Sequence, residues 1–345
     1  MKTIAIRLDS GKSIGVGHLM RCMALAESLQ REAEVSVIFI CRDKIQLQTG
    51  FEVVYLDKDY QTDKSEYTVP SIDDEIEELR QIMDTRQIDC LIVDHYGAGD
   101  AYFENVREFV PWLICIEDSV KRSIPVDMII NGNIYGTDAD YGTVPIQLLG
   151  GEYTLLRKEF TNLPKRILRD EIQDVYITSG GSDPLQFCKR VMEAMMRNIA
   201  EIRIHVIAGS GFEESYIAEL TEHDVIIHKK ANMLECMQKA DLFISSAGST
   251  LYELAVTGTP SISYILVDNQ IRVAKRMWEE KCSMAGGDFE KFSSDKLIEL
   301  YHQIADYKVR QRMSEKAQQT IYSDGAANAA RQIISLISGE KGDMK

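Results

Sequence analysis

The chain has 345 residues, 45% of them hydrophobic, which is enough to bury a large core and to divide into two domains rather than one. A formal charge of −15 excludes the basic footprint that nucleic-acid binding requires and makes an anionic membrane surface a poor partner. No apolar run approaches the ~20 residues that span a bilayer, and the first residues do not read as a secretory leader, so a cytoplasmic protein without stable membrane association is expected. The seven cysteines, Cys22, Cys41, Cys90, Cys115, Cys188, Cys236 and Cys282, are odd in number and scattered through apolar segments, as buried free thiols would be. No histidine stands at metal-ligand spacing from a cysteine or carboxylate, which points to chemistry without metal or cofactor. The pattern is compatible with a monomer.

Taken in chain order, the first apolar run, Thr3–Leu8, leads into Gly15-Val16-Gly17-His18-Leu19-Met20-Arg21. Glycines allow a sharp strand-to-helix turn, and the first N–H groups of a helix favour an anion, so a histidine beside such a turn suits a phosphorylated ligand. The spacing is neither a Walker loop nor a dinucleotide fingerprint, because no Gly-Lys-Ser/Thr follows and Met20 stands where a third glycine would be. A structural turn with an incidental histidine is the competing interpretation. The helix is expected through Leu19, Cys22, Met23, Ala26 and Leu29, followed by strands at Val35–Ile40, Cys90–Val93 and Leu113–Ile116. These runs are apolar throughout rather than alternating, as a parallel sheet covered on both faces requires. They define a first doubly wound domain over residues 1–160.

After a turn-rich connection from Asn131 to Gly151 the pattern restarts, with strands at Val175–Thr178, Ile202–Ala208, Val225–His228, Leu242–Ser245 and Ser261–Ile265. A second domain of the same kind is expected over 161–338. Its first strand runs into Gly180-Gly181-Ser182-Asp183-Pro184, where the proline suits the first turn of a helix. Its fourth enters Ala247-Gly248-Ser249-Thr250 and a helix carrying Glu253. Backbone donors there suit a diphosphate and the carboxylate a ribose diol, although Ser249 or Thr250 could equally be an ordinary helix cap. Asp268-Asn269-Gln270 follows the fifth strand. Ligands of open α/β sheets gather at such carboxyl ends, and three polar loops together indicate a nucleotide-sugar site. Leu297, Leu300 and Ile304 fall at helical spacing, Gly325 opens a last helix through Ile333 and Ile337, and a polar tail occupies 339–345.

Six segments together carry a resemblance: Gly-x-Gly-His-x-x-Arg at 15–21, Val93-Asp94-His95-Tyr96, Gly151-x-Tyr153-x-x-Leu156-Arg157-x-x-Phe160, Gly180-Gly181-Ser182-Asp183, Ala247-Gly248-Ser249-Thr250-Leu251-Tyr252-Glu253 and Asp268-Asn269-Gln270. With them most of the chain resembles the UDP-sugar hydrolases of pseudaminic acid biosynthesis, of GT-B type: two Rossmann-like, doubly wound α/β domains facing a central cleft. The resemblance implies hydrolysis of UDP-2,4-diacetamido-2,4,6-trideoxy-β-L-altropyranose to UDP and the free sugar, with His18 as the base. It implies uracil near Ala231-Asn232-Met233, ribose on Glu253, and diphosphate on Gly181-Ser182 and Gly248-Ser249. Gly17, Arg21, Tyr96, Asp183, Asn269 and Gln270 complete the expected contacts, Tyr96 toward the sugar.

The chemistry fits such a substrate, because UDP leaves as a stabilised anion and a pair of carboxylates is not required. A neutral imidazole can take the proton of the attacking water. Arg21 could touch the diphosphate or pair with a carboxylate such as Asp9, and His95 is a second conceivable base. His205, His223, His228 and His302 read as structural. The rivals are a GT-B glycosyltransferase, in which His18 would deprotonate an acceptor hydroxyl, and a non-catalytic nucleotide-sugar-binding protein of polysaccharide assembly.

Overall fold

The computed structural model describes residues 1–10, 17–42, 50–56 and 72–339, so Gly15, Val16 and the polar tail from residue 340 lie outside the described residues. Two compact units are present. The first comprises Met1–Lys158 and the described residues from Asp324 onward, and the second is Glu159–Ser323.

In the first unit, apolar runs form β1 (Lys2–Leu8), β2 (Val35–Cys41), β4 (Cys90–Asp94) and β5 (Trp112–Ile116), with three further strands, β3 (Glu52–Tyr55), β6 (Met128–Asn131) and β7 (Ile146–Leu149). All pair in parallel in the order β3-β2-β1-β4-β5-β6-β7. Parallel pairing requires crossovers, and these are α1 (Gly17–Glu32), α2 (Ile76–Arg86) and α3 (Asp100–Arg107). Side chains alternate across the sheet: Ile4, Ile6 and Leu8 meet Cys22, Leu25, Ala26 and Leu29 of α1 on one face, while Ala5 meets Leu79, Tyr102 and Phe103 on the other.

Strand β1 also carries a fully buried arginine. Arg7 is held by Glu75 through Nε and Nη2, both at 2.7 Å, and by Asp9 at 2.8 Å. Glu75 takes two more donors, Arg42 Nε at 3.0 Å and the Tyr102 hydroxyl at 2.9 Å. Buried charge persists only when every member has such partners.

In the second unit β8 (Asp174–Thr178), β9 (Arg203–Ala208), β10 (Ile226–Lys229), β11 (Leu242–Ser246), β12 (Ser261–Ile265) and β13 (Met284–Asp288) form a parallel sheet ordered β10-β9-β8-β11-β12-β13. Helices α4 (Phe187–Asn198), α5 (Glu214–Thr221), α6 (Met233–Lys239), α7 (Thr250–Thr257), α8 (Ile271–Glu279), α9 (Ser294–Ala305) and α10 (Tyr307–Thr320) cover it. Leu297, Leu300 and Ile304 are buried on α9, as their spacing predicts. All seven cysteines are free and buried. Among the described residues no helix is long and apolar enough to cross a membrane.

The structure differs from the sequence reading at several points. Strands β3, β6, β7 and β13 were not anticipated. β3 is a short, half-exposed edge strand, β7 lies inside the expected turn-rich connection, and β13 contains Gly286-Gly287. Those glycines signal a turn, yet a Cβ at Gly286 would press into the Tyr264 ring at 2.6 Å, so the strand passes only because the side chain is missing. The expected second domain ran to residue 338, but the last helix, α11 (Gly325–Ser338), packs in the first unit. Ala329, Ala330 and Ile333 join the core that α1 covers, and a Cβ at Gly325 would collide with the Thr154 carbonyl. Residues 152–155 thus form part of the seat of α11, with Glu152 O accepting from Asn328 Nδ2 at 3.0 Å.

Ile333→Ala should therefore destabilise the first unit by about 3 kcal/mol, as truncation of a fully buried isoleucine does. The two tryptophans, Trp112 in the first unit and Trp278 in the second, separate the transitions in denaturant titrations of single-tryptophan variants. An equal shift of both, or a shift of the Trp278 transition alone, would refute this packing assignment.

Candidate functional site

Strands β1, β4 and β5 are neighbours in a parallel sheet, so the segments leaving their carboxyl ends converge although far apart in sequence. From the segment after β1 comes His18, the second residue of α1, buried at 5% exposure. From the end of β4 comes Asp94, 1% exposed, and from the segment after β5 comes Asp118.

Asp94 Oδ1 lies 2.6 Å from His18 Nδ1 and 2.5 Å from Arg21 Nη2, while its Oδ2 accepts from Arg21 Nε at 2.7 Å and the Cys22 thiol at 3.2 Å. Burial would raise the proton affinity of this carboxyl; the Arg21 charge, and then His18, overcome that and hold it well below the usual carboxylate range. An ionised carboxylate only accepts, so Nδ1 of His18 carries the proton between them, and in the neutral imidazole the lone pair is then on Nε2. Burial, with Asp94 next, pushes the Cys22 thiol well up, so it stays a protonated donor rather than a nucleophile.

Arg21 continues to Asp118, whose two oxygens accept its Nη1 at 2.8 and 2.9 Å. Asp118 also accepts from the Tyr96 hydroxyl at 2.6 Å and Asn133 Nδ2 at 2.8 Å. Tyr96 stands edge-to-face over His18 with ring centroids 4.5 Å apart, and is 54% exposed. Its hydroxyl is pushed well above the ordinary tyrosine value by burial and by Asp118, so it remains a proton donor. Gly17 is exposed beside His18, and a Cβ there would meet nothing.

Two alternatives left open by the sequence are thereby decided. Asp9 does not pair with Arg21; it accepts from Arg7, from the Arg42 backbone N–H at 2.7 Å and from His95 Nε2 at 3.2 Å. His95 accepts the Gly97 N–H on Nδ1 at 2.9 Å, so its ring ties β1 to the turn after β4 and both nitrogens are committed. Sequence reasoning assigned no role to Asp94, Asp118 or Asn133. The signal available was an aspartate closing each of two apolar strand segments.

In the second unit the three polar loops do converge, because β8, β11 and β12 are adjacent. Ser246 Oγ donates to Ser179 O at 2.9 Å, joining the ends of β11 and β8. Gln270 Oε1 accepts the Leu266 N–H at 2.9 Å, and its Nε2 lies 3.9 Å from where a Cβ on Gly248 would be. Gly180 has φ +96°, and a Cβ at Gly209 would collide with the carbonyl oxygens of Gly180 and Gly181, so Gly209 is a further requirement of this loop that sequence reasoning missed.

The loops are not equivalent. Asp183 Oδ1 accepts from Phe187 N at 2.6 Å and its Oδ2 from Cys188 N at 2.8 Å and from the Tyr216 hydroxyl at 2.8 Å, so this carboxylate caps α4. The helix begins at Phe187 rather than around Pro184, since residues 184–186 form a turn ending at Gln186 with φ 51°. At α7 the position is reversed. Ser249 makes no side-chain cap hydrogen bond among the described residues, unlike the Ser or Thr cap that the sequence allows. Glu253 is half-buried in the first turn of α7, Asn269 is exposed and Gln270 half-buried. Met233 opens α6 behind its cap Asn232, which accepts from Glu235 N at 3.1 Å. Farther along, His205 bridges Asp174 and His228 with two 3.0 Å contacts, a structural chain as expected for these histidines.

Asp94→Asn should cost about 3 kcal/mol at pH 7, because it breaks a buried charge pair. Asp94 holds its proton less tightly folded than unfolded, so its stabilisation is present above about pH 4 and is lost as pH falls below that. The difference between parent and variant in denaturant melts should therefore shrink below pH 4; a difference independent of pH would contradict the ionised assignment.

Residues 175–333 match the family model described as the glycosyltransferase family 28 C-terminal domain. Among curated proteins, the chain is 26% identical to an uncharacterized protein of Methanocaldococcus jannaschii over 78% of this chain and 56% of that one, so it spans little more than half of that relative. It is 22% identical to the spore coat polysaccharide biosynthesis protein SpsG of Bacillus subtilis, over 86% of both. It is 25% identical to the UDP-2,4-diacetamido-2,4,6-trideoxy-beta-L-altropyranose hydrolase of Campylobacter jejuni, over 77% of this chain and 93% of that one. Among solved structures, MurG of Acinetobacter baumannii superposes with a TM-score of 0.66 at 15% identity, covering 98% of this chain and 99% of that one. A Medicago truncatula protein crystallised with UDP-glucose gives 0.68 at 13%, covering 98% of each. By fold the chain is a GT-B protein of two Rossmann-like parallel-sheet domains, and its residues 175–333 match the family 28 glycosyltransferase C-terminal domain.

Proposed function

We propose that the chain is a UDP-sugar hydrolase acting on UDP-2,4-diacetamido-2,4,6-trideoxy-β-L-altropyranose, with His18 as general base. The observation that carries the reading is the ionised Asp94 on His18 Nδ1, which leaves Nε2 as the acceptor of a proton. The likeness to the Campylobacter hydrolase supports the substrate. In this reading Nε2 takes a proton from water as the water oxygen bonds the anomeric carbon, and the bond from that carbon to the UDP oxygen breaks, its electron pair leaving with UDP. Tyr96 presents its exposed ring beside the sugar, and Arg21, spent on two carboxylates, fixes the motif rather than gripping phosphate.

The second unit is assigned the nucleotide. The uncapped start of α7, with Gly248 and Ser249, suits the diphosphate, Glu253 the ribose and the Met233 loop the uracil. Gly181 and Ser182 offer backbone on the adjacent turn, with Asp183 supporting it as a cap and Asn269 and Gln270 flanking Gly248. A second reading, transfer of the sugar to an acceptor hydroxyl, is favoured by the family 28 match.

Incubation in heavy-oxygen water decides between them. Hydrolysis puts the label on the free sugar's anomeric oxygen, whereas UDP release only after an acceptor is added would establish transfer. His18→Ala should lower turnover by about 10²- to 10⁴-fold, the usual range for a general base, with UDP affinity unchanged. Full activity in that variant would remove His18 from the mechanism. Gly209→Ala, which forces the Gly180-Gly181 backbone aside, should weaken UDP binding about tenfold in calorimetry while leaving the first unit's melting intact. Unchanged affinity would move the nucleotide off this loop.

A further inference from the structure

Asp94 is shared. The oxygen that meets His18 Nδ1 at 2.6 Å also meets Arg21 Nη2 at 2.5 Å, and that same Nη2 comes within 3.2 Å of Nδ1. With the proton of Nδ1 directed at Asp94, the last approach sets two donors side by side and is a repulsion rather than a hydrogen bond. Arg21 is itself shared, since its Nη1 engages both oxygens of Asp118. The result is a row of alternating charge, Asp118, Arg21, Asp94, ending on the imidazole.

Among the described residues, the groups facing His18 come from three elements. From α1 come Arg21 and Cys22, from the end of β4 and its turn come Asp94 and Tyr96, and from the segment after β5 comes Asp118, acting through Arg21 and Tyr96. The thiol and the phenol stay neutral, so among the described residues the row carries the charge that faces His18.

We propose, resting on the reading of His18 as a base, that Arg21 is a positioning residue that sets the base strength of His18 by competing for Asp94, and that Asp118 limits that competition. A lone buried carboxylate on an imidazole favours the imidazolium, which cannot accept a proton from water. Arg21 withdraws part of that carboxylate, and Asp118 discharges part of Arg21.

The two outer members therefore act with opposite sign, which a purely structural role would not reproduce. The test is the titration of the His18 imidazole by NMR in the full chain without substrate, for the parent, Arg21→Met, Arg21→Lys and Asp118→Asn. Arg21→Met should move the midpoint up by about one pH unit, the size expected when one charge within ~4 Å is removed, and Asp118→Asn should move it down. Arg21→Lys keeps the charge and should stay closer to the parent than Arg21→Met does. The acidic limb of the pH–rate profile should follow the same order. Shifts of Arg21→Met and Asp118→Asn in one direction, or none in either, would overturn the proposal. Because the imidazole is read without turnover, absence of hydrolysis in the parent would sink the functional reading separately and leave the NMR result to judge Arg21.

Discussion

One buried carboxylate organises the first unit's site. Asp94 closes a strand covered on both faces, where an unpaired charge could not remain, and four donors from α1 satisfy it: one from His18, two from Arg21 and one from Cys22. The first turns of α1 are thereby pinned to the end of β4. The 2.6 Å contact of Nδ1 with the ionised Asp94 fixes the tautomer and direction of the imidazole. Asp118 extends the arrangement outward, fixing Tyr96 against the His18 ring and drawing Asn133 to the same place. Behind it Arg7, Asp9, Glu75 and Arg42 form a second buried network, and His95 belongs to that one.

In the second unit the constraint is steric before it is electrostatic. Loops at neighbouring strand ends approach closely because glycines remove the Cβ atoms that would collide, as at Gly209 beneath Gly180-Gly181, and because Ser246 joins the ends of β11 and β8. The two helix starts then diverge in use. Asp183 closes α4 from within the chain, whereas Ser249 makes no side-chain cap on α7 among the described residues.

Much of this was legible in the chain. Buried parallel strands are continuous apolar runs, so nine strands stand where their composition puts them, and α9 follows its leucine spacing. The elements that escaped notice lack that local mark: β13 is glycine-rich and β3 a half-exposed edge. The allegiance of α11 was also hidden, because a small-residue helix face fits either core until Gly325 is seen against the Thr154 carbonyl.

The sequence by itself determined the doubly wound architecture, the helix bearing His18 and the three polar loops, because strand runs, helical periodicity and turn residues are short-range properties. The tertiary structure alone decided which aspartate His18 meets, that Arg21 turns to Asp94 and Asp118 rather than Asp9, and that Asp183 is a cap. Those choices depend on strand order, which sets side by side residues 76 and 97 positions apart, and no local spacing encodes that adjacency.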